Sequence, residues 1–206
     1  MSISPNQSLD KLKKIIYGIY VANLVDDVKN SLSSLISGAG DVVSIAQSVA
    51  KDNVVKAIQG VGDVTASGTQ AVSDVVSGGV QALSTAGASI TAGITGLVEG
   101  AVDGAKEVGV DTTEAAGEAA STAVMTVSKV GGDVGEAAVA AVQGAIKAAG
   151  DIGADSGALA LSAVKGSIKA ADEIGSEAGS LVRKALLNAA ALPHDIIDAL
   201  LTGKTE

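Results

Sequence analysis

KAIQGVGDVTASGTQAVSDVVS (Lys56–Ser77) and GSIKAADEIGSEAGSLVRKALL (Gly166–Leu187) are the first and last of six tandem 22-residue copies, beginning at Lys56, Gly78, Gly100, Thr122, Gly144 and Gly166. A fixed repeat is the strongest single constraint on architecture, because each copy must adopt the same local structure. Numbered 1 to 22, positions 3, 6, 10, 14, 17 and 21 form one apolar and small-residue stripe, with steps of 3, 4, 4, 3 and 4. Those steps belong to a helix and not to a strand, despite the many valines. Position 3 is Ile58, Val80, Val102, Val124, Ile146 and Ile168. Positions 4, 8, 12, 15, 19 and 22 carry most of the charge.

The period is twice eleven. Eleven residues in three turns is ~3.67 residues per turn, which predicts a right-handed or nearly straight supercoil. Read as one helix, the copies would run roughly 200 Å. Position 10 is Thr65 and then Gly87, Gly109, Gly131, Gly153 and Gly175, and position 14 ends in Gly135, Gly157 and Gly179. Glycine inside a helix costs about 1 kcal/mol relative to alanine. The expected compensation is close helix approach, so these glycines are expected to form the packing seam together with the position-3 residues.

The composition agrees with a helical, small-residue core. The 206 residues include 26 Gly, no Trp, Phe or Cys, and 47% hydrophobic residues, too many for simple disorder. The formal charge of −9 argues against a phosphate-binding surface and hence against nucleic acid as partner. With no Cys and only His194, transition-metal ligands are too few, and no Ser/His/Asp or Cys/His arrangement for nucleophilic catalysis is visible. No enzyme, cofactor or metal is therefore expected.

Upstream, Ser4-Pro5-Asn6-Gln7 has the pattern of a helix start, and residues 1–37 read as an N-terminal helical segment. Lys13-Lys14 before the apolar run Ile15–Val25 lacks a cleavage site, so no cleavable signal peptide is expected; a cytoplasmic or membrane-associated location follows. Gly38-Ala39-Gly40 is the candidate kink, with residues 38–55 an in-phase extension of the repeats at 56–187. Pro193 should stop the helix, leaving 188–206 as a short amphipathic cap through Asp195–Leu201 closed by Gly203.

Two local features invite function. Glu99, Asp103, Glu107, Asp111, Glu114 and Glu118, spaced 4, 4, 4, 3 and 4, would lie on one acidic outer face of a continuous helix. That face is read as a solvated exterior, with a cation tie or a basic partner as the functional alternative. From Val75 to Val98 no residue is charged, a length able to cross a bilayer.

Copies such as GAIKAAGDIGADSGALALSAVK (144–165) resemble the hendecad coiled-coil proteins, and VTASGTQAVSDVVSGGVQ (64–81) resembles, more weakly, the 11-residue repeats of synucleins and perilipins, which coat lipid. The first resemblance implies an all-α protein: a very long amphipathic helix in a right-handed or nearly straight homo-oligomeric bundle or tube of four or more chains. The expected function is self-assembly into a bundle, tube or filament. The alternative is a membrane-associated protein, either crossing through 75–98 as an oligomeric bundle or lying on a lipid surface.

Overall fold

The computed structural model describes residues 23–36, 41–59, 64–189 and 192. Among these every regular element is an α-helix. The helices are α1 (23–36), α2 (Val42–Gln59), α3 (Val64–Ala86), α4 (Ile90–Glu107), α5 (Thr112–Lys129), α6 (Val134–Ile152), α7 (Ser156–Ile174) and α8 (Ser176–Asn188). The helix start at Ser4, the kink at Gly38–Gly40, His194 and the cap at Asp195–Leu201 lie outside the described residues.

The single long helix is corrected to a series of short ones. From Gly78 onward, successive helices of about five turns are separated by one break in each 22-residue period. Gly87, Gly109, Gly131 and Gly153, all at repeat position 10, have φ between 65° and 78°, the left-handed region that glycine alone enters without a Cβ clash. The residue after each glycine donates its N–H to the carbonyl five residues back: Ala88 to Leu83 at 3.0 Å, Val110 to Ala105 at 2.8 Å, Gly132 to Val127 at 2.9 Å and Ala154 to Ala149 at 2.9 Å. These are Schellman closures, which satisfy carbonyls left over at a helix end.

Two residues beyond each glycine stands the N-cap of the next helix. The Asp111 carboxylate accepts from the Thr113 and Glu114 amides, both at 2.9 Å, and Asp133 accepts from Gly135 at 2.8 Å and Glu136 at 3.0 Å. Ser89 and Asp155 cap α4 and α7 in the same way. Gly-x-Asp/Ser is thus a stop followed at once by a start. The stripe survived in the sequence because the four residues of Val108–Asp111 or Val130–Asp133 replace about one helical turn. The next helix therefore resumes in nearly the same phase.

With reversals this short, consecutive helices run antiparallel. Helices α2, α4, α6 and α8 pack side by side in one layer; α3, α5 and α7 form the second, and neighbours in sequence pack across the two. Helix α1 joins the second layer, where the Val25 carbonyl lies over Gly78 of α3. Each helix inside the stack thus buries one face against the opposite layer and both flanks against its own, while the end helices α2, α7 and α8 have a same-layer neighbour on one flank. Wide small-residue faces of the kind read from the sequence suit this two-layer stack. The core is a continuous cluster of Ala, Val, Leu and Ile that includes Val76, Leu83, Leu97, Ala120, Val142 and Val164.

The closest approaches within a layer use a different set of glycines from the one expected. Gly96, Gly100 and Gly104 of α4 sit over the backbone carbonyls of Val43, Gln47 and Lys51 of α2, both helices stepping by four residues. Gly166 of α7 meets the Gly117 carbonyl of α5, and Gly144 of α6 meets the Thr95 carbonyl of α4. Gly78, Gly100, Gly144 and Gly166 all occupy repeat position 1. Position 1 is otherwise Lys56 in the first copy and Thr122 in the fourth, where the Thr122 hydroxyl lies 2.8 Å from that of Ser73.

Candidate functional site

The position-10 glycines Gly87, Gly109, Gly131, Gly153 and Gly175 stand at reversals, and a Cβ built on any of them meets nothing within 4 Å. They set the turns and do not hold helices together. Of the position-14 glycines, Gly135 is buried beside Ala185 of α8, Gly157 is half-buried, and Gly179 lies against the side chains of Asp172 and Arg183. All three fall in the first turns of α6, α7 and α8, so no position-10 and position-14 glycines share a helix. Among the position-3 residues, Ile58, Val80, Val102 and Val124 are buried, while Ile146 and Ile168 are half-buried against the core.

The expected acidic face does not exist as one face. The reversal at Gly109 divides its six carboxylates between two antiparallel helices in different layers, with five distinct environments. Glu99 of α4 is only 7% exposed. Asp103 accepts from the Gln47 amide of α2 at 3.3 Å, and Glu107 pairs with Lys51 at 3.2 Å. Asp111 caps α5; Glu114 accepts from the Thr69 hydroxyl at 3.5 Å and Glu118 from that of Thr122 at 3.4 Å.

Two of these carboxylates are electrostatically unusual. Burial pushes Glu99 up to about 7, with Lys147 opposing and Asp151 and Asp103 reinforcing the rise. Burial also raises Asp103, against the stabilising amide of Gln47. One oxygen of each, Glu99 Oε2 and Asp103 Oδ1, is buried without a hydrogen-bond partner. A buried carboxylate that lacks donors is held toward its protonated form, because its charge loses water without replacement. Glu99 on α4 is the carboxyl raised farthest, to about 7.

A second polar feature lies in the other layer. An open groove of about 360 Å³ is formed by α3, α5 and α7 and is lined almost entirely by polar side chains. Hydroxyls tie its walls: Ser73 to Thr122 at 2.8 Å and Thr126 to Ser77 at 3.4 Å. Asp74 is 8% exposed; its Oδ1 accepts from Gln70 at 3.0 Å, while Oδ2 is buried without a partner. Burial raises the Asp74 carboxyl, the Gln70 amide partly opposing. Sequence reasoning passed over Asp74 as an ordinary outward charge at position 19. The available signal was its neighbourhood, since it borders the uncharged run 75–98.

That run contains the α3–α4 reversal, so no helix extends through it, and no helix among the described residues is long and apolar enough to cross a membrane. Among the described residues no group of three His, Cys, Asp or Glu side chains could hold a metal ion. Among the described residues, the exposed large apolar side chains lie on the end helices: Leu35 (52%) on α1, Ile174 closing α7, and Leu181 (51%) and Leu187 on α8. No protein-family model matches the chain, and no curated protein matches it in sequence.

Proposed function

We propose that this protein is a non-enzymatic structural protein that self-associates end to end through the end helices of its stack. The observation that carries the reading is the placement of its exposed large apolar side chains, Leu35 at one end and Leu181 and Leu187 at the other. The small-residue faces within the stack are used inside one chain, which leaves the end helices as the surfaces that want a partner. In a layered repeat the last helix offers much the same kind of face that its predecessor covered, so another copy is its simplest complement. Joining unlike ends is a heterologous contact, which propagates into filaments unless the rotation closes a ring.

Light scattering across a concentration series, with and without Leu181→Lys/Leu187→Lys, tests this. The parent chain should grow in mass with concentration, and the double variant should remain a folded monomer of 19.9 kDa. A parent that stays monomeric throughout overturns the proposal, as does a double variant that assembles like the parent. Association that appears only with lipid vesicles would replace it with the surface-coat reading.

A further inference from the structure

The Asp74 groove carries an inference independent of self-assembly. A polar groove between helices can simply be wet, its water satisfying the walls. Three features point to more. First, a carboxylate at the inner wall keeps one buried oxygen without a donor, and leaving such an acceptor unmade is costly. Its missing complement is a hydrogen-bond donor, best a cationic one, because charge-assisted bonds are the strong ones. Second, the groove's own cations do not supply it: Lys129 of α5 and Lys169 of α7 line the same space, but neither forms an ion pair with Asp74, and only Gln70 opposes the effect of its burial. Third, the serine and threonine hydroxyls between these charges each keep donor or acceptor capacity beyond the bonds they make.

The arrangement is a carboxylate bonded through one oxygen to Gln70 and two lysines, all lining one space of about 360 Å³, at the small end of the range that holds a compact metabolite. We propose that this groove binds a small zwitterion of the amino-acid class, its ammonium facing the Asp74 carboxylate at the inner wall and its carboxylate facing Lys129 and Lys169. The hydroxyls of Ser77 and Thr126 serve the polar middle of the ligand. Glu118 and Glu173, also in the lining, disfavour a purely anionic ligand, and the two lysines disfavour a purely cationic one.

The test is a thermal-shift screen of the full chain against the common α-amino acids and 4-aminobutyrate, followed by calorimetric titration of the best binder. The matching amine and the matching carboxylic acid serve as single-charge controls. Saturable one-to-one binding of the zwitterion is expected, with each single-charge control at least ten-fold weaker. Asp74→Asn, which keeps an acceptor for Gln70, should weaken binding ten-fold or more, and Lys169→Gln several-fold. Glu136→Gln, on an exposed carboxylate of the other layer, should leave binding within two-fold of the parent. Absence of saturable binding across the panel overturns the proposal. So does a cation that binds as well as the zwitterion and is weakened alike by Asp74→Asn and Glu136→Gln, since that is diffuse attraction to a chain of net charge −9. Should Asp74→Asn fail to fold, Lys169→Gln at the exposed rim decides the matter: unchanged affinity there excludes the groove.

Discussion

Alanine placed at three glycines should separate the stacked fold from a continuous helix, because the structure assigns the three different signs. At Gly100 the new Cβ would stand 2.7 Å from the carbonyl carbon and 2.9 Å from the Cα of Gln47, and nearer still to its oxygen. Ordinary carbon contacts lie at about 3.5–4.0 Å, so α2 must retreat by about 1 Å. No side-chain rotation can relieve a clash with backbone. Gly96 and Gly104 hold α2 in the same register, so the retreat loosens three approaches together. Against backbone, overpacking of this kind costs about 2–3 kcal/mol, the upper part of its usual range, and the helix regains about 1 kcal/mol on losing a glycine. The net loss should be about 1–2 kcal/mol, or roughly 3–8 °C in Tm for a chain of this size. At Gly150, inside α6 with nothing within 4 Å, only the helix gain remains, so Gly150→Ala should stabilise by up to about 1 kcal/mol. At Gly153, φ +65° with open space around it, alanine should cost about 1–2 kcal/mol of left-handed strain. Urea unfolding followed by circular dichroism at 222 nm reads all three. Stabilisation by Gly153→Ala equal to that by Gly150→Ala would refute the reversal at Gly153 and restore a helix running through it. A neutral or stabilising Gly100→Ala would refute the contact between α2 and α4.

Glu99 should make the fold more stable in mild acid than above neutrality. Its folded-state value of about 7 exceeds the ordinary 4.5, so its contribution is complete below about 4.5 and is lost as pH rises through about 7. Raised Asp74 and Asp103 push the same way, while exposed Asp41 and Asp172, held low by Ser44 and Arg183, oppose weakly. Glu99→Gln should flatten the fall in unfolding free energy, read from urea titrations, between pH 5 and pH 8, a fall on the order of 1–2 kcal/mol after allowance for solvent screening; an unchanged slope would show that Glu99 is solvated. Asp133→Ala, which removes two N-cap bonds from α6, should cost about 1 kcal/mol in the same assay, and a change below a few tenths would deny the cap.

The all-helical class was legible because the apolar positions repeat at three and four residues in every copy, a spacing that no strand can use. The reversals were written in the sequence as well, in Gly87-Ala88-Ser89, Gly109-Val110-Asp111, Gly131-Gly132-Asp133 and Gly153-Ala154-Asp155, each a helix stop followed by a start. The stripe hid them: a reversal that replaces about one turn leaves the apolar phase unbroken, so periodicity cannot distinguish a bent chain from a straight one. Gly-x-Asp recurring every 22 residues is the signal that outranks it, since a helix-interior Asp two residues after Gly has nothing to cap.

Sequence alone determined the element type, the length of the repeat and the small-residue character of the core, because local propensity and periodicity act within one helix. Tertiary structure alone decided which residues meet. Once the chain folds back on itself, Gly100 faces Gln47 and Gly166 faces Gly117, partners 53 and 49 residues away that no local pattern specifies. The same folding turned carboxylates at nominally outward positions into different things: Glu107 into a surface ion pair, Glu99 and Asp74 into buried acids. A helix has a fixed geometry of faces, but its outside is defined only by the neighbours that flank it. In a two-layer stack those neighbours cover three sides and leave a narrow strip for water.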